Sequence, residues 1–282
     1  MNILVMAGTK DAVNIIEMLS DKNKKNKDKK DKKNQENDFS DKNIHILATA
    51  TTHYGAELAQ KAGAHEVTSK PLPLSELTNL IQNKNVDILI DATHPFAAQA
   101  TTNAISAAKK NSIKYIRYER PSMEYIGVER VHNVNSFEEA GKIALRMVEN
   151  GEKNVLHLAG VSTITKILHN VPLERLVVRV LPNNDSISKC HELGIPGQNI
   201  VAMQGVFSEN FNKSLMKEYE AGAIITKESG ETGGVPSKVE AALALGLGVV
   251  MVKRPEIKEL TNEIVFNSLE ELEKNLNSFI SD

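Results

Sequence analysis

Short apolar runs alternate with amphipathic segments along the first part of the chain. The run from Asn2 to Met6 predicts a buried strand that ends at Ala7-Gly8-Thr9, and apolar residues at helical spacing from Ala12 to Leu19 predict a helix. Further strands are predicted at 44–49, 65–68, 86–91 and 114–118, with helices at 55–62, 74–82 and 97–110. This alternation favours a parallel sheet whose strands are joined by crossover helices.

A second series of the same kind follows Glu119-Arg120-Pro121. It begins with a predicted helix at 137–149 and continues with strands predicted at 154–158, 176–180, 199–202, 222–226 and 248–252. At roughly 150 residues per domain, a chain of 282 residues has room for two domains. We therefore expect an α/β protein of two Rossmann-like parallel-sheet domains, an N-terminal dinucleotide-binding domain at 1–125 and a C-terminal α/β domain at 126–282.

Residues 21–43 interrupt the first series with a segment rich in Lys and Asn. No apolar residue occurs in it before Phe39. Such a segment is typical either of a solvated insertion or of a basic arm that contacts nucleic acid or an anionic surface. Because Asp and Asn dilute its lysines, and because it lies inside a strand-helix series, we expect a solvated insertion.

The two series share a pattern near their ends. Residues 87–121 and 223–255 each run from a strand through a polar loop and an Ala-rich helix to a second strand. Each ends with the same dipeptide, at Arg120-Pro121 and Arg254-Pro255. Internal duplication would explain the match, and so would chance similarity between two α/β units, so the sequence leaves both explanations open.

Composition and charge exclude several functions. Lys plus Arg number 34 and Asp plus Glu number 36, a net charge of −2, so no global basic field would hold nucleic acid. The sole cysteine, Cys190, cannot form an internal disulfide, and no Cys or His cluster has the spacing of a metal site. No apolar run reaches the roughly 18 residues of a membrane span. With the first predicted strand at Asn2, we expect no signal peptide and a cytoplasmic protein.

The residues that follow each strand are informative, because ligands of open α/β sheets bind beyond the carboxyl ends of the strands. Gly8, Thr9 and Lys10 form a turn before a helix, which is either a phosphate-binding turn or a plain connection. No acid occurs from Thr49 to Gly55, where an NAD site usually has one. Thr51 and Thr52 either belong only to the strand and its turn or bind the 2′-phosphate of NADP. The second role would favour NADP over NAD.

Two later strand ends carry further candidates. Thr93 and His94 follow the strand at 86–91, where His94 either binds a ligand or donates a proton, or else caps the next helix. The segment 226–238 combines glycines, hydroxyl groups and lysines between a strand and a helix, as an anion-binding turn does. Its candidate ligands are Lys227, Ser229, Gly230, Gly233 and Lys238. It lacks the Gly-Lys-Ser/Thr ending of a P-loop, so nucleotide hydrolysis is not expected.

Four arginines lie at or just after predicted strands. They are Arg117, Arg120, Arg179 and Arg254. A guanidinium group suits the carboxylates of a ligand and suits a structural ion pair equally well, so both roles stay open.

Together these segments resemble the precorrin-6A reductases of cobalamin biosynthesis over nearly the whole chain. The resemblance rests on Ala7-Gly8-Thr9, the turn from Ala50-Thr51 to Tyr54-Gly55, Asp91-Ala92-Thr93-His94-Pro95-Phe96-Ala97-Ala98, Arg120-Pro121, Arg179-Val180-Leu181-Pro182, Met203-Gln204-Gly205-Val206-Phe207-Ser208, Thr226-Lys227-Glu228-Ser229-Gly230 and Val250-Met251-Val252-Lys253-Arg254-Pro255. The chain departs from the family at Ala7, where a Gly is usual, and at Ser122-Met123, where an aromatic residue usually follows Arg-Pro.

The resemblance implies a two-domain Rossmann-like enzyme with NADPH in the cleft between its domains. The enzyme would reduce one double bond of precorrin-6A, or of its cobalt-containing form, to give precorrin-6B. Lys227, His94 and water are the candidate proton donors. The implied cofactor contacts are Gly8, Thr9, Lys10, Thr51, Thr52, Thr93, His94, Lys227, Ser229, Gly230 and Gly233, and the implied contacts to substrate carboxylates are Arg117, Arg120, Arg254 and Lys238.

The expected partners are the tetrapyrrole substrate and, in transient contact, neighbouring enzymes of the pathway, with no nucleic acid, membrane or resident metal. The Lys- and Asn-rich composition fits an AT-rich genome, which is common among anaerobes, and this favours the cobalt form of the substrate. Two alternatives remain, another NADP-dependent reductase and a nucleotide-binding module without catalysis. A short-chain dehydrogenase is disfavoured, because the chain has no Tyr-x-x-x-Lys pair.

Overall fold

The chain folds into two compact units, which differ in extent from the two predicted domains. The computed structural model describes residues 1–32, 43–123, 125–149, 153–230 and 233–281. The first unit comprises Met1–Pro121 together with Glu256–Asp282, and the second unit comprises Ser122–Pro255. The expected division at 125/126 is therefore corrected, because the C-terminal segment belongs to the first unit.

The first unit contains a parallel sheet of six strands. Its strands are β1 (Asn2–Met6), β2 (His45–Ala50), β3 (Glu66–Ser69), β4 (Ile88–Asp91), β5 (Lys114–Tyr118) and β12 (Ile264–Phe266), and its helices are α1 (Lys10–Lys32), α2 (His53–Lys61), α3 (Leu74–Asn83), α4 (Ala98–Lys110) and α10 (Leu269–Ser281). The strand order is β12-β5-β4-β1-β2-β3, and every neighbouring pair is parallel. Strands buried on both faces explain the near-continuous apolar runs, since Ile3, Leu4 and Val5 are all fully buried.

The C-terminal segment joins this sheet through both backbone and side chains. Phe266 of β12 pairs with Tyr118 of β5, and the N–H of Glu119 donates to the carbonyl of Phe266. Phe266, Leu272 and Leu276 are buried in the core of the first unit. This apolar burial explains why the segment belongs there, although it follows the second unit in sequence.

The second unit contains a second parallel sheet of six strands. Its strands are β6 (Val131–Val134), β7 (Asn154–His157), β8 (Leu176–Val180), β9 (Ile200–Ala202), β10 (Ala221–Lys227) and β11 (Gly248–Val252), and its helices are α5 (Phe137–Val148), α6 (Ile164–Leu168), α7 (Asn184–Glu192), α8 (Glu209–Glu218) and α9 (Val235–Ala244). The strand order is β6-β11-β10-β7-β8-β9. The predicted α/β class with two parallel sheets is confirmed.

The two sheets have equivalent strand orders. Each has five strands in the Rossmann order, and a sixth strand pairs with β5 in one sheet and with β11 in the other. Details repeat as well, because the side-chain amides of Asn2 and Asn154 donate to the carbonyls of Lys84 and Tyr219, just before β4 and β10. These shared contacts favour internal duplication over chance similarity.

The Lys-rich segment is helical at its start rather than a loop. Helix α1 continues to Lys32, so the expected solvated insertion is corrected for residues 21–32. The side chain of Asn23 donates to the carbonyl of Ile44 at 2.7 Å and accepts from its N–H at 2.9 Å, which ties this helix to the start of β2. Residues 33–42 of the predicted insertion lie outside the described residues. Among those described, no helix has the length and apolar character needed to cross a membrane.

Candidate active site

Each sheet has one place where the strand order reverses, and several of the predicted site residues lie in the turns beside it. In the first unit this switch point lies between β1 and β4, and in the second unit between β7 and β10. The loops after these strands leave a crevice at their carboxyl ends, where ligands of doubly wound folds bind. A glycine with positive φ begins the turn in both units, Gly8 at +127° and Gly160 at +93°.

The turn after β1 is open and is tied to the turn after β4. No heavy atom lies within 4 Å of the position that a Cβ would occupy at Gly8. The Thr9 hydroxyl donates to the carbonyl of Ala92 at 2.8 Å and accepts from the N–H of Ala12 at 3.1 Å, at the start of α1. The structure therefore brings Gly8, Thr9 and Lys10 together with the turn that holds Thr93 and His94.

His94 is oriented by the backbone that follows it. Its Nδ1 accepts from the N–H of Phe96 at 3.1 Å, and the two rings lie 5.8 Å apart. A neutral imidazole that accepts at Nδ1 carries its proton on Nε2. His94 can therefore donate a hydrogen bond from Nε2, and its role as a proton donor stays a prediction.

Thr51 and Thr52 follow β2, which pairs with β1 on the side away from β4. Both threonines are exposed. The Thr52 hydroxyl accepts from the N–H of Gly55 at 3.1 Å and so caps α2. The first turn of α2 contains no acidic residue, which leaves the position open to a phosphate.

Arg117 lies inside the first unit and does not face a ligand. Its side chain is fully buried, and its guanidinium pairs with Asp91 and with Glu119, each at 2.9 Å. Tyr115 also donates to Asp91, at 2.9 Å, and Thr93 donates to it through both its hydroxyl and its N–H. The expected contact between Arg117 and substrate is corrected, since this arginine neutralises buried carboxylates and holds Thr93 in place.

The two Arg-Pro arginines also form ion pairs within their own units. Arg120 pairs with Asp11 in the first turn of α1, and Arg254 pairs with Glu228 after β10. Their side chains are only 15% and 13% exposed. Each arginine therefore has a structural ion pair, and its contact with a substrate carboxylate stays a prediction.

Three cations lie close together near the carboxyl ends of β8 and β10 and in the first turns of α9. We call Arg179, Lys227 and Lys238 the basic cluster. Burial lowers the pKa of Lys227. Burial first, and then the charges of Arg179 and Lys227, lower the pKa of Lys238 to about 7. Burial also lowers the pKa of Arg179 to about 10. Cations that repel one another and are partly desolvated favour the binding of an anion.

Arg179 of the basic cluster has an uncharged hydrogen-bond partner and an aromatic neighbour. Arg179 donates to the side-chain carbonyl of Asn212 at 3.1 Å, and its guanidinium lies 5.2 Å from the ring centre of Phe207. Phe207 stacks on Phe211 with ring centres 4.6 Å apart. Leu181 and Val206, which follow β8 and β9, are 48% and 67% exposed. An apolar surface thus borders the basic cluster.

The glycine-rich turn after β10 is shaped by its own contacts. The N–H of Gly230 donates to Glu228, and the N–H of Gly233 donates to the carbonyl of Gly230. A Cβ at Gly233 would lie 2.1 Å from the hydroxyl of Ser229, so only glycine fits there. Lys238 donates to the carbonyl of Gly233 at 3.0 Å. The turn therefore places Ser229, Gly230 and Gly233 beside Lys227 and Lys238.

His157 lies at the end of β7 and was not predicted as a site residue. It is fully buried, and burial first, with a further contribution from Lys227, lowers its pKa to about 4. Its Nε2 lies 2.9 Å from the hydroxyl of Thr163. Sequence reasoning also gave no role to Phe207 and Asn212, although Arg179 at a strand end pointed to this place. The described part of the chain contains no group of His, Cys, Asp or Glu that could hold a metal ion.

Residues 31–277 match the family model described as "Precorrin-6x reductase CbiJ/CobK". The chain is 46% identical over 272 residues, 96% of its length and 82% of the relative's, to "Cobalt-precorrin-6A reductase" of Methanothermobacter thermautotrophicus. It is 38% identical over 274 residues, 97% of both chains, to the protein of the same name from Methanocaldococcus jannaschii. A solved structure titled "CobK precorrin-6A reductase" shares the fold, with a TM-score of 0.71 at 19% identity over 98% of this chain and 96% of the other.

Proposed function

The chain belongs to the precorrin-6x reductase CbiJ/CobK family, and from this premise we propose that it reduces cobalt-precorrin-6A with NADPH. As a member of this family it is an oxidoreductase of cobalamin biosynthesis that reduces the precorrin-6A macrocycle, and it uses a nicotinamide cofactor. The relatives with 46%, 37% and 38% identity are named for the cobalt form, which supports a cobalt-containing substrate.

The basic cluster and the apolar residues beside it are the observation that supports our assignment of the substrate site. The macrocycle presents a broad apolar ring edged by carboxylates. Arg179, Lys227 and Lys238 would bind carboxylates, and Leu181 and Val206 would contact the ring. We therefore assign the macrocycle to the second unit, and we assign Lys227 to it in place of the cofactor contact expected from the sequence.

The switch point of the first unit fits a dinucleotide. The open space at Gly8 lets a phosphate approach the backbone, and the N-terminus of α1 directs N–H groups at it. Thr51 and Thr52, with no acid beside them, fit a 2′-phosphate. When bound, NADPH supplies the hydride. The protein's own contribution is to hold the reacting groups in position, and this accounts for much of the rate.

The reduction also needs a proton for the carbon next to the one that receives the hydride. We propose Lys227 as its source, because burial lowers the pKa of its ammonium group and makes it a stronger acid near neutral pH. His94, which follows β4, is the second candidate. The variants Lys227→Met and His94→Gln separate the two, because the donor's loss lowers kcat more than it lowers macrocycle affinity.

The experiment that tests the proposed function is a reduction assay with both substrate forms. The protein is mixed with NADPH and either cobalt-precorrin-6A or metal-free precorrin-6A, while NADPH absorbance and product mass are followed. We expect oxidation of NADPH and a product that has gained a hydride and a proton, faster with the cobalt form. The variant Lys217→Met, which removes an exposed lysine of the same unit, serves as the matched control and retains the wild-type rate. Tight NADPH binding without oxidation would instead favour a nucleotide-binding module.

A further inference from the structure

Glu228 follows Lys227, and its buried carboxylate contacts three separate segments of the second unit. Its side chain is 6% exposed. Oε1 accepts from the N–H of Gly230 at 2.8 Å and from the N–H of Met123 at 3.2 Å, and Oε2 pairs with Arg254. One carboxylate thus links the glycine-rich turn beside the basic cluster to residues more than twenty positions away on either side.

The two distant partners of Glu228 lie where the chain enters and leaves the second unit. The unit begins at Ser122, directly before Met123, and it ends at Pro255, directly after Arg254. Glu228 therefore binds both linking segments at the points where they join the unit. Its own N–H donates to the carbonyl of Val252 at 2.9 Å, so the backbone at this position is fixed as well.

Among its described residues, the first unit has no equivalent of this arrangement. Arg120 occupies the position that Arg254 has in the second unit, but its carboxylate partner is Asp11 on α1. Strand register places Thr93 where the second unit has Glu228. Thr93 donates its N–H and hydroxyl to Asp91 within its own turn. The contacts of Glu228 are therefore particular to the unit that carries the basic cluster.

A carboxylate next to a basic cluster weakens the binding of an anion by simple Coulomb repulsion. Its benefit to that site must then be geometric. We propose that Glu228 is a positioning residue for macrocycle binding, which fixes the turn that bears Lys227 and fastens this turn to both linking segments. This inference rests on the proposed function, because it assumes that the basic cluster takes the carboxylates of the macrocycle.

When the carboxylate of Glu228 is removed, the geometric effect predicts weaker tetrapyrrole binding and the Coulomb effect predicts tighter binding. Measuring the affinity therefore distinguishes the two effects. Glu228→Ala and Glu228→Gln both remove the negative charge, but Gln retains a carbonyl that accepts from Met123 and Gly230. Binding of uroporphyrin, a carboxylate-rich tetrapyrrole, is measured by fluorescence, and NADPH binding is measured separately. The control is Glu240→Gln, since Glu240 is an exposed residue on α9 outside the site.

We expect Glu228→Ala to weaken uroporphyrin binding at least about tenfold, or about 1.4 kcal/mol, and Glu228→Gln to recover part of this loss. NADPH affinity stays unchanged in both variants, as does uroporphyrin affinity in the control. In the reduction assay, KM for the macrocycle rises more than kcat falls. Tighter or unchanged uroporphyrin binding in both Glu228 variants overturns the proposal, because only the charge would then matter.

Hydrogen exchange gives a readout that does not depend on the substrate. The amides of Met123 and Gly230 should exchange faster in Glu228→Ala than in the wild type and remain protected in Glu228→Gln. If Glu228→Ala does not fold, the Gln variant still decides through its uroporphyrin affinity, which must fall below that of the wild type. Unchanged exchange of both amides in the Ala variant overturns the positioning role. A wild-type protein that fails to oxidise NADPH refutes the proposed function. The hydrogen-exchange result is independent of that outcome, because it needs neither substrate nor turnover.

Discussion

The two units share a scaffold but differ in the charge at their switch points. Strand register places Thr49 at the same position as Arg179, and Ala92 at the same position as Lys227. At these two positions the first unit therefore has small neutral residues, and the second has two members of the basic cluster. Apolar strands set the fold in both units, and a few residues after the strands decide which ligand each can bind.

The two sheets also differ in the charge that they bury at equivalent strand positions. Asp91 and Arg117 form a fully buried ion pair between β4 and β5, at the positions where β10 and β11 have Thr226 and Met251. At these sheet positions the first unit thus buries an ion pair, and the second unit has two uncharged residues. The variants below test whether the buried ion pair of the first unit contributes to stability and the basic cluster of the second unit contributes to binding.

The largest effect is expected from breaking the buried pair of the first unit. Arg117→Met leaves Asp91 buried without its cation, and we expect the free energy of unfolding to fall by about 3–5 kcal/mol in urea denaturation. The double variant Asp91→Thr with Arg117→Met copies the residues of the second unit and should recover at least half of that loss. If the double variant is no more stable than the single one, the two units do not offer interchangeable solutions at this position.

The next effect concerns the basic cluster. Lys227→Ala should weaken macrocycle binding at least about tenfold, since one charge-assisted contact contributes roughly 1.5–3 kcal/mol. NADPH affinity and the melting temperature should barely change, because Lys227 is not a core residue. Titrations with uroporphyrin and with NADPH check both halves of the prediction. If only NADPH affinity falls, Lys227 contacts the cofactor and not the macrocycle. The assignment of the two ligands to separate units would then be wrong.

A smaller effect is expected for cofactor choice in the first unit. With no acid near Thr51 and Thr52, NADPH should bind at least about tenfold more tightly than NADH, or roughly 1.4 kcal/mol. Placing a carboxylate there with Thr51→Asp should narrow or reverse this preference by repelling the 2′-phosphate. Fluorescence titration of both cofactors measures the ratio, and equal affinities in the wild type would contradict the assignment of this turn.

The smallest effect is a pH dependence of macrocycle binding. The pKa of Lys238 is lowered to about 7, by burial first and then by Arg179 and Lys227. Only its ammonium form attracts a carboxylate, so uroporphyrin affinity should fall by a few-fold as pH rises through about 7. Lys238→Met should remove that step and bind at all pH values about as weakly as the wild type does above it. A step that persists in the variant must come from another group.

The sequence predicted the strand-helix alternation but not every element boundary. Sheets that are buried on both faces give continuous apolar runs, and these were identified in both series. The helical continuation of α1 to Lys32 does not follow from apolar periodicity, because residues 21–32 contain no apolar residue. Lysine is a good helix former, so the signal was present in the composition. Asn23, which bonds to Ile44, shows that a polar residue can also anchor such a segment.

The structure joins two of the turns that the sequence singled out separately. The link between Gly8-Thr9 and Thr93-His94 follows from parallel strands, whose carboxyl ends meet at one edge of the sheet. The partners of each arginine could not be predicted from the sequence. Arg117 and Arg179 both lie on strands, but the first is neutralised by Asp91 and Glu119, and the second has the uncharged Asn212 as its partner.

The sequence by itself determined the α/β class, the two parallel sheets and the positions of the turns after the strands, because these depend on local patterns of apolar and glycine residues. Only the tertiary structure decided that Glu256–Asp282 joins the first unit, which arginines are neutralised, and that Glu228 holds both linking segments. Those features depend on burial and on pairs of residues far apart in the chain. Local periodicity carries no information about such partners, since a residue's pattern fixes its face of an element and not what that face meets.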